Sequence, residues 1–147
     1  MKKSIILLAG IATLSLYAQR GWAQSDAPYN EGSVWTLTMV RTKYGMTDDY
    51  IKGLARTFKG TLDEAKKQNL ILSYKILLGN ASGKDDFDMI LMVESKNMAA
   101  LDNAREKFDP IARKVEGSVD EQRQTAIKRV DLREILGNKL MREITPK

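Results

Sequence analysis

The chain has 147 residues, no cysteine, no histidine and a formal charge of +5. Disulfides, thiolate or imidazole metal sites, and Ser-His-Asp or Cys-His nucleophile systems are therefore excluded, and any general base has to be Asp, Glu, Lys or Tyr. The charge is divided between 24 basic and 19 acidic residues, which is no nucleic-acid footprint.

Met1 to Gln24 has the pattern of a secretory signal peptide. Lys2 and Lys3 start it, Ile5 to Leu16 form its apolar run, and Gly21-Trp22-Ala23 places small residues at −3 and −1 of a cleavage site after Ala23. The run is shorter than the ~20 apolar residues of a membrane span, and no cysteine follows to carry a lipid. The expectation is a signal peptide over 1–23 and an exported protein, periplasmic or secreted, with no membrane span and no nucleic-acid partner. Loss of Lys2, Lys3 and Arg20 lowers the charge from +5 to +2. The remainder, about 124 residues, is the size of one domain.

Residues 24–33 read as a flexible arm and 34–147 as a single domain. Val34 to Val40 alternates in polarity and is rich in β-branched residues, which predicts a strand. Gly45 turns the chain, Thr47 is the expected N-cap, and Asp48 and Asp49 suit the first turn of a helix. Ile51, Leu54, Ala55, Phe58, Leu62 and Ala65 give that helix an apolar stripe, and Asn69 a left-handed stop. Ile71–Gly79 and Phe87–Val93 form two strands around the turn cluster Asn80–Asp86, an antiparallel hairpin. Ser95 is the expected cap of a second helix, which Pro110 should kink or break near Asp109. Ser118 and Glu121 spell a capping box for a third helix over Val119 to about Lys128. A last strand is expected between Leu132 and Ile144, with a bulge or tight turn at Gly137-Asn138.

Strand, helix, two strands, helix, extra helix, strand is the βαββαβ plan of a ferredoxin-like α+β fold, with a four-stranded antiparallel sheet. Alternation divides each strand into two faces. Trp35, Leu37 and Met39 with Leu72, Tyr74, Ile76, Leu78, Phe87, Met89, Leu91 and Val93 are assigned to the helix side. Val34, Thr36, Thr38, Val40, Ile71, Ser73, Lys75, Leu77, Asp88, Ile90, Met92 and Glu94 are assigned to the other. Ile71, Leu77, Ile90 and Met92 together are too apolar for a solvated face, so they are expected to pack against a second copy in a homodimer.

Element order, the pattern of the first strand, Gly45 before an acidic helix start, and the strand Phe87-Asp88-Met89-Ile90-Leu91-Met92 resemble the dimeric α+β barrel superfamily, which includes antibiotic-biosynthesis-type monooxygenases and uncharacterised exported proteins. The resemblance spans Val34 to Glu94. It implies a barrel closed by two sheets, with a lumen. Members include haem-degrading and chlorite-converting enzymes, cofactor-free oxygenases and proteins without known activity. The haem-using members hold iron through a histidine, which this chain lacks, so no cofactor is expected. No catalytic residue carries over.

The candidate ligand-binding residues are Thr36, Thr38, Lys75, Asp88, Tyr44 and Tyr50. Lys75 and Asp88 either pair across the hairpin or hold a polar ligand. Tyr44, Tyr50 and Arg41 form either a lip that stacks a flat substrate or ordinary surface packing. Asp85-Asp86-Asp88 lacks the calcium-loop spacing, and no metal is expected. Arg113, Lys114, Arg123, Lys128, Arg129 and Arg133 read as a solvated face, with an anionic surface as the functional option. The functional expectation is a non-catalytic, self-associating module that binds a small apolar or aromatic molecule. The alternative is a cofactor-independent monooxygenase or isomerase acting on an aromatic or quinone-like substrate.

Overall fold

The computed structural model describes residues 27–147, so the leader expected over 1–23 lies outside the described residues. The chain runs β1 (Tyr29–Thr42), α1 (Thr47–Leu54), a π-helical turn (Ala55–Lys59), α2 (Gly60–Lys67), β2 (Ser73–Leu78), β3 (Met89–Ser95), a 3₁₀ turn (Met98–Leu101), α3 (Ala104–Glu116), α4 (Val119–Val130) and β4 (Arg133–Pro146). α1, the π turn and α2 form one continuous rod. The sheet order is β2-β3-β1-β4 and every neighbouring pair is antiparallel. This is an α+β architecture compatible with the ferredoxin-like plan.

Both crossovers lie on one face of the sheet. Tyr50 and Leu54 of α1 pack with Val40, Met89 and Leu91, and Leu62 and Ala65 of α2 pack with Ile71 and Ile111. Phe58 touches both clusters and meets Tyr74 edge-on, with ring centroids 5.8 Å apart. The rod and α3 approach closely at Gly60, where an added Cβ would lie 2.9 Å from Val115 Cγ1.

Several local expectations hold for the expected reason. Asn69 takes a left-handed φ of 57° after α2. Ser118 and Glu121 form a reciprocal capping box on α4. The β1–β4 register shifts beside Met39↔Gly137, so the glycine marks a bulge. Others need correction. β1 begins at Tyr29, and Tyr29, Asn30 and Glu31 pair with the end of β4, so much of the arm placed over 24–33 is strand. Thr47 caps nothing; its hydroxyl lies 2.8 Å from Thr42 Oγ1 instead. Ser95 is the buried end of β3, and Asn97 caps the 3₁₀ turn. α3 runs through Pro110 unbroken, because Pro110 is on its exposed side, where the carbonyl freed one turn earlier can turn to water.

The largest correction concerns β1. Val34 pairs with Ser95, Thr36 with Val93, Thr38 with Leu91 and Val40 with Met89, and these residues share the face that meets the helices. Trp35, Leu37 and Met39 point to the open face. The assignments of Tyr74, Met89, Leu91 and Val93 to the helix side hold, as do those of Leu77, Ile90 and Met92 to the other. Ile71 does not follow its assignment. It precedes β2, where strand parity has no force, and is buried in the helix-side core. Leu72 and Phe87 also lie outside the strands and are exposed.

Candidate functional site

A cleft of about 220 Å³ opens between the rod, the end of α4 with the start of β4, and the helix-facing side of the sheet. Its floor is Thr38 and Leu91, its wall is Tyr50, Thr57 and Phe58, and its polar end is Glu116, Arg129 and Arg133. The floor has room because β1 places a short threonine under the rod where a larger residue would fill the space. Along the wall the helix changes from α to π over Ala55–Lys59. π segments widen the turn and recur at functional sites. Here the buried Thr57 donates its hydroxyl back to the Gly53 carbonyl at 3.0 Å.

The polar end comes from an unusual helix. In α4 the half-buried residues are Gln122, Thr125 and Arg129, spaced three and four apart, whereas Val119, Ile127 and Val130 are exposed. An amphipathic helix normally turns its apolar stripe inward; this one turns a polar stripe inward and brings Arg129 to the cleft. Arg133 follows as the first residue of β4. Its guanidinium carbon lies 5.9 Å from the centre of the Tyr50 ring, a cation–π distance. Arg129 Nη2 reaches Glu116 Oε2 at 3.6 Å, and Glu116 also accepts from the Thr61 hydroxyl at 3.1 Å. The Nε of Arg129 and the Nε of Arg133 are both buried without a hydrogen-bond partner. Buried donors are nearly always paired, so two orphaned guanidinium N–H groups at one cleft are a notable departure.

Of the six residues expected to bind a ligand, two meet at this cleft. Thr38 and Tyr50 line it. Thr36 shares the helix-facing side of β1 but does not line the cleft. Tyr44 is fully exposed at the β1–α1 turn while Tyr50 is buried, and Arg41 pairs with Glu134 at 2.6 Å, so the three form no common lip. Lys75 sits on the open face opposite Met92, with its ammonium 5.2 Å from the centre of the Trp35 ring. Asp88 precedes β3 and turns to Thr42, so the Lys75–Asp88 pair does not form. Asp86 is held below the usual carboxylate range by the Ser82 backbone N–H and hydroxyl and by the Phe87 N–H. Within the Asp85-Asp86-Asp88 run the Asp86 and Asp88 carboxylates therefore face different partners. Among the described residues no group of three or more acidic side chains is placed to hold a metal ion.

Sequence reasoning missed Phe58, Glu116, Arg129 and Arg133 as site residues. The signal was present in α4, whose three-and-four spacing picks out polar residues on one stripe and apolar residues on the other.

Among the described residues no helix is long and apolar enough to cross a membrane. No family model, curated protein or solved structure matches this chain.

Proposed function

We propose that this protein is an exported, non-catalytic binding module that takes a small molecule into the cleft between rod and sheet and works as a homodimer. The observation that carries the binding reading is the pair of guanidinium groups, each with a buried, unpartnered Nε, at the polar end of a cleft otherwise lined by Tyr50, Phe58, aliphatic side chains and threonines. Apolar walls with a few convergent polar groups are the usual form of a ligand site. Among the described lining residues the one carboxylate, Glu116, is engaged by Thr61 and Arg129. That arrangement favours binding over a cofactor-independent oxygenase or isomerase, which would need a free group to move a proton.

The homodimer reading rests on the open face. Reversal of β1 makes this face more apolar than alternation alone suggested. Leu37 lies between Met92 and Lys139, Met39 between Ile90 and Gly137, and Leu77 beside Ile90. The rim carries both signs: Lys75 and Lys139 against Glu94, Glu134 and Glu143. An apolar centre with a rim of mixed charge is self-complementary under a twofold axis. Two such sheets face to face would form the dimeric α+β barrel that the strand pattern resembles.

The test is native mass spectrometry of the protein purified from its exported compartment. The wild type should carry a small molecule that a Thr38→Phe variant, with its floor filled, does not. A wild type that runs clean and takes up nothing from a host-cell extract would overturn the binding reading.

A further inference from the structure

We infer that the ligand of this cleft is an organic carboxylate with a flat or compact apolar body, bound through Arg133 and Arg129. The inference rests on the binding reading above and deepens it. Arg133 forms no hydrogen bond or ion pair through its guanidinium among the described residues, and its Nε is buried. Arg129 has one ion pair, a long one at 3.6 Å, with a carboxylate already shared with Thr61. An arginine presents a planar fork of five N–H donors matched to a carboxylate. Two forks facing one internal carboxylate leave donor capacity and net positive charge at the polar end of the cleft.

The adjoining groove is also basic in its lining. It shares Thr57 and Arg129 with the cleft and is otherwise lined by Lys52, Gly53, Arg56 and Thr125, with no carboxylate among the described lining residues. Lys52 is paired with Asp49 at 3.0 Å, but Arg56 has no ion pair among the described residues. Beyond Arg56 lie Asp120 and Glu121 of α4. The Ser118 backbone N–H and hydroxyl, helped by Arg56, hold the Glu121 carboxyl below its usual range, so the positive charge that serves the cleft is that of Arg129 and Arg133. The rest of the cleft selects the body. Phe58, Leu54, Leu62 and Leu91 offer carbon surface that a bare inorganic anion would leave unused. The volume, about 220 Å³, lies below the ~300 Å³ at which drug-sized sites begin, and so suits a single ring or a short branched chain. Tyr50, already under the Arg133 guanidinium, places an aromatic wall beside the charge.

The test compares three probes on the whole protein: benzoate, its uncharged isostere benzamide, and inorganic phosphate. Binding is followed by calorimetry and by NMR shifts of Tyr50 and Phe58. Benzoate should bind at least tenfold more tightly than either of the others. Arg133→Gln should remove that preference while leaving weak benzamide binding in place, and Arg133→Lys, which keeps the charge without the fork, should fall between. Equal affinity for benzoate and benzamide would overturn the anion inference and leave the cleft as a neutral-ligand site. Phosphate binding as tightly as benzoate would overturn the organic part. If none of the probes shifts Tyr50 or Phe58 at millimolar concentration, the cleft-binding reading fails together with the inference. The wild-type comparison decides between these outcomes even if an arginine variant does not fold.

Discussion

The Asp88 carboxylate accepts the backbone N–H of Thr42 at 3.0 Å and, through its other oxygen, the Thr42 hydroxyl. It thereby closes the end of β1, whose partner β3 begins at Met89. Thr42 is buried, so loss of the carboxylate leaves a backbone donor without water or a partner. Asp88→Ala should cost about 1–3 kcal/mol in urea unfolding, with Asp88→Asn costing less. Neither should alter self-association, because the Asp88 carboxylate is engaged by Thr42 at the end of β1. A loss under ~0.5 kcal/mol for the alanine variant would show that water replaces the carboxylate at no cost.

The open face and the core give opposite signatures for two isoleucines that sequence alone grouped together. Ile90→Lys places a charge in the centre of the proposed dimer face and should convert dimer to monomer in sedimentation at micromolar concentration, with the fold retained. Ile71 is 4% exposed and packs against Leu62, Ala65 and Ile111. Ile71→Ala should cost ~2–5 kcal/mol of stability and leave assembly unchanged. A wild type that sediments as a monomer would remove the dimer.

Two helical glycines should respond with opposite sign. Nothing lies within 4 Å of a Cβ built at Gly53, whereas one built at Gly60 meets Val115 Cγ1 at 2.9 Å. Gly53→Ala should gain up to ~1 kcal/mol from helix propensity. Gly60→Ala forfeits the same gain to the clash with a stiff β-branched side chain and should be net destabilising. Gly60→Ala combined with Val115→Ala should recover part of that loss, as thermal melts of the four proteins would show. If Gly60→Ala is as stabilising as Gly53→Ala, the rod and α3 are not in close contact there.

Acid and alkali should act through one small network. The Asp63 carboxyl is held below its usual range, first by the hydrogen bond from Lys59 and next by that from Tyr74. A lowered folded value means that this stabilisation is full above the ordinary carboxylate range and fades as pH falls through the folded value. The Tyr74 hydroxyl is pushed up, first by burial and then by Asp63. Its contribution is full below the ordinary tyrosine value near 10.0 and fades as pH rises through the higher folded value. Tyr74→Phe should therefore flatten the alkaline limb of the stability–pH curve, and Asp63→Asn should flatten part of the acid limb. Unchanged limbs in both variants would disconnect this network from folding stability.

Element types were legible in the chain because their signals are local. The Ser118–Glu121 box, the left-handed Asn69 and the bulging Gly137 each depend on residues within a turn of one another, and the structure shows each in place. The candidate site was legible only in part. Tyr50 and Thr38 were named for a lip and for the open face respectively, yet they meet at the cleft under the rod. Arg129 and Arg133 were read as surface charge because basic residues in and beside a helix end are ordinarily solvated; the inverted stripe of α4 brings Arg129 inward, and Arg133 follows at the start of β4.

The order of strands and helices, and the division of each strand into two faces, followed from the period of the sequence. Which face of β1 meets the helices did not. A period of two is unchanged when the faces are exchanged, so Trp35-Leu37-Met39 and Val34-Thr36-Thr38-Val40 were equally available to the core. Pairing of Thr38 with Leu91 and of Val40 with Met89 made that choice, because strand register binds β1 to the face already covered by the rod. The same choice left short threonines beneath the helices, opening a cleft, and sent the larger side chains to the uncovered side.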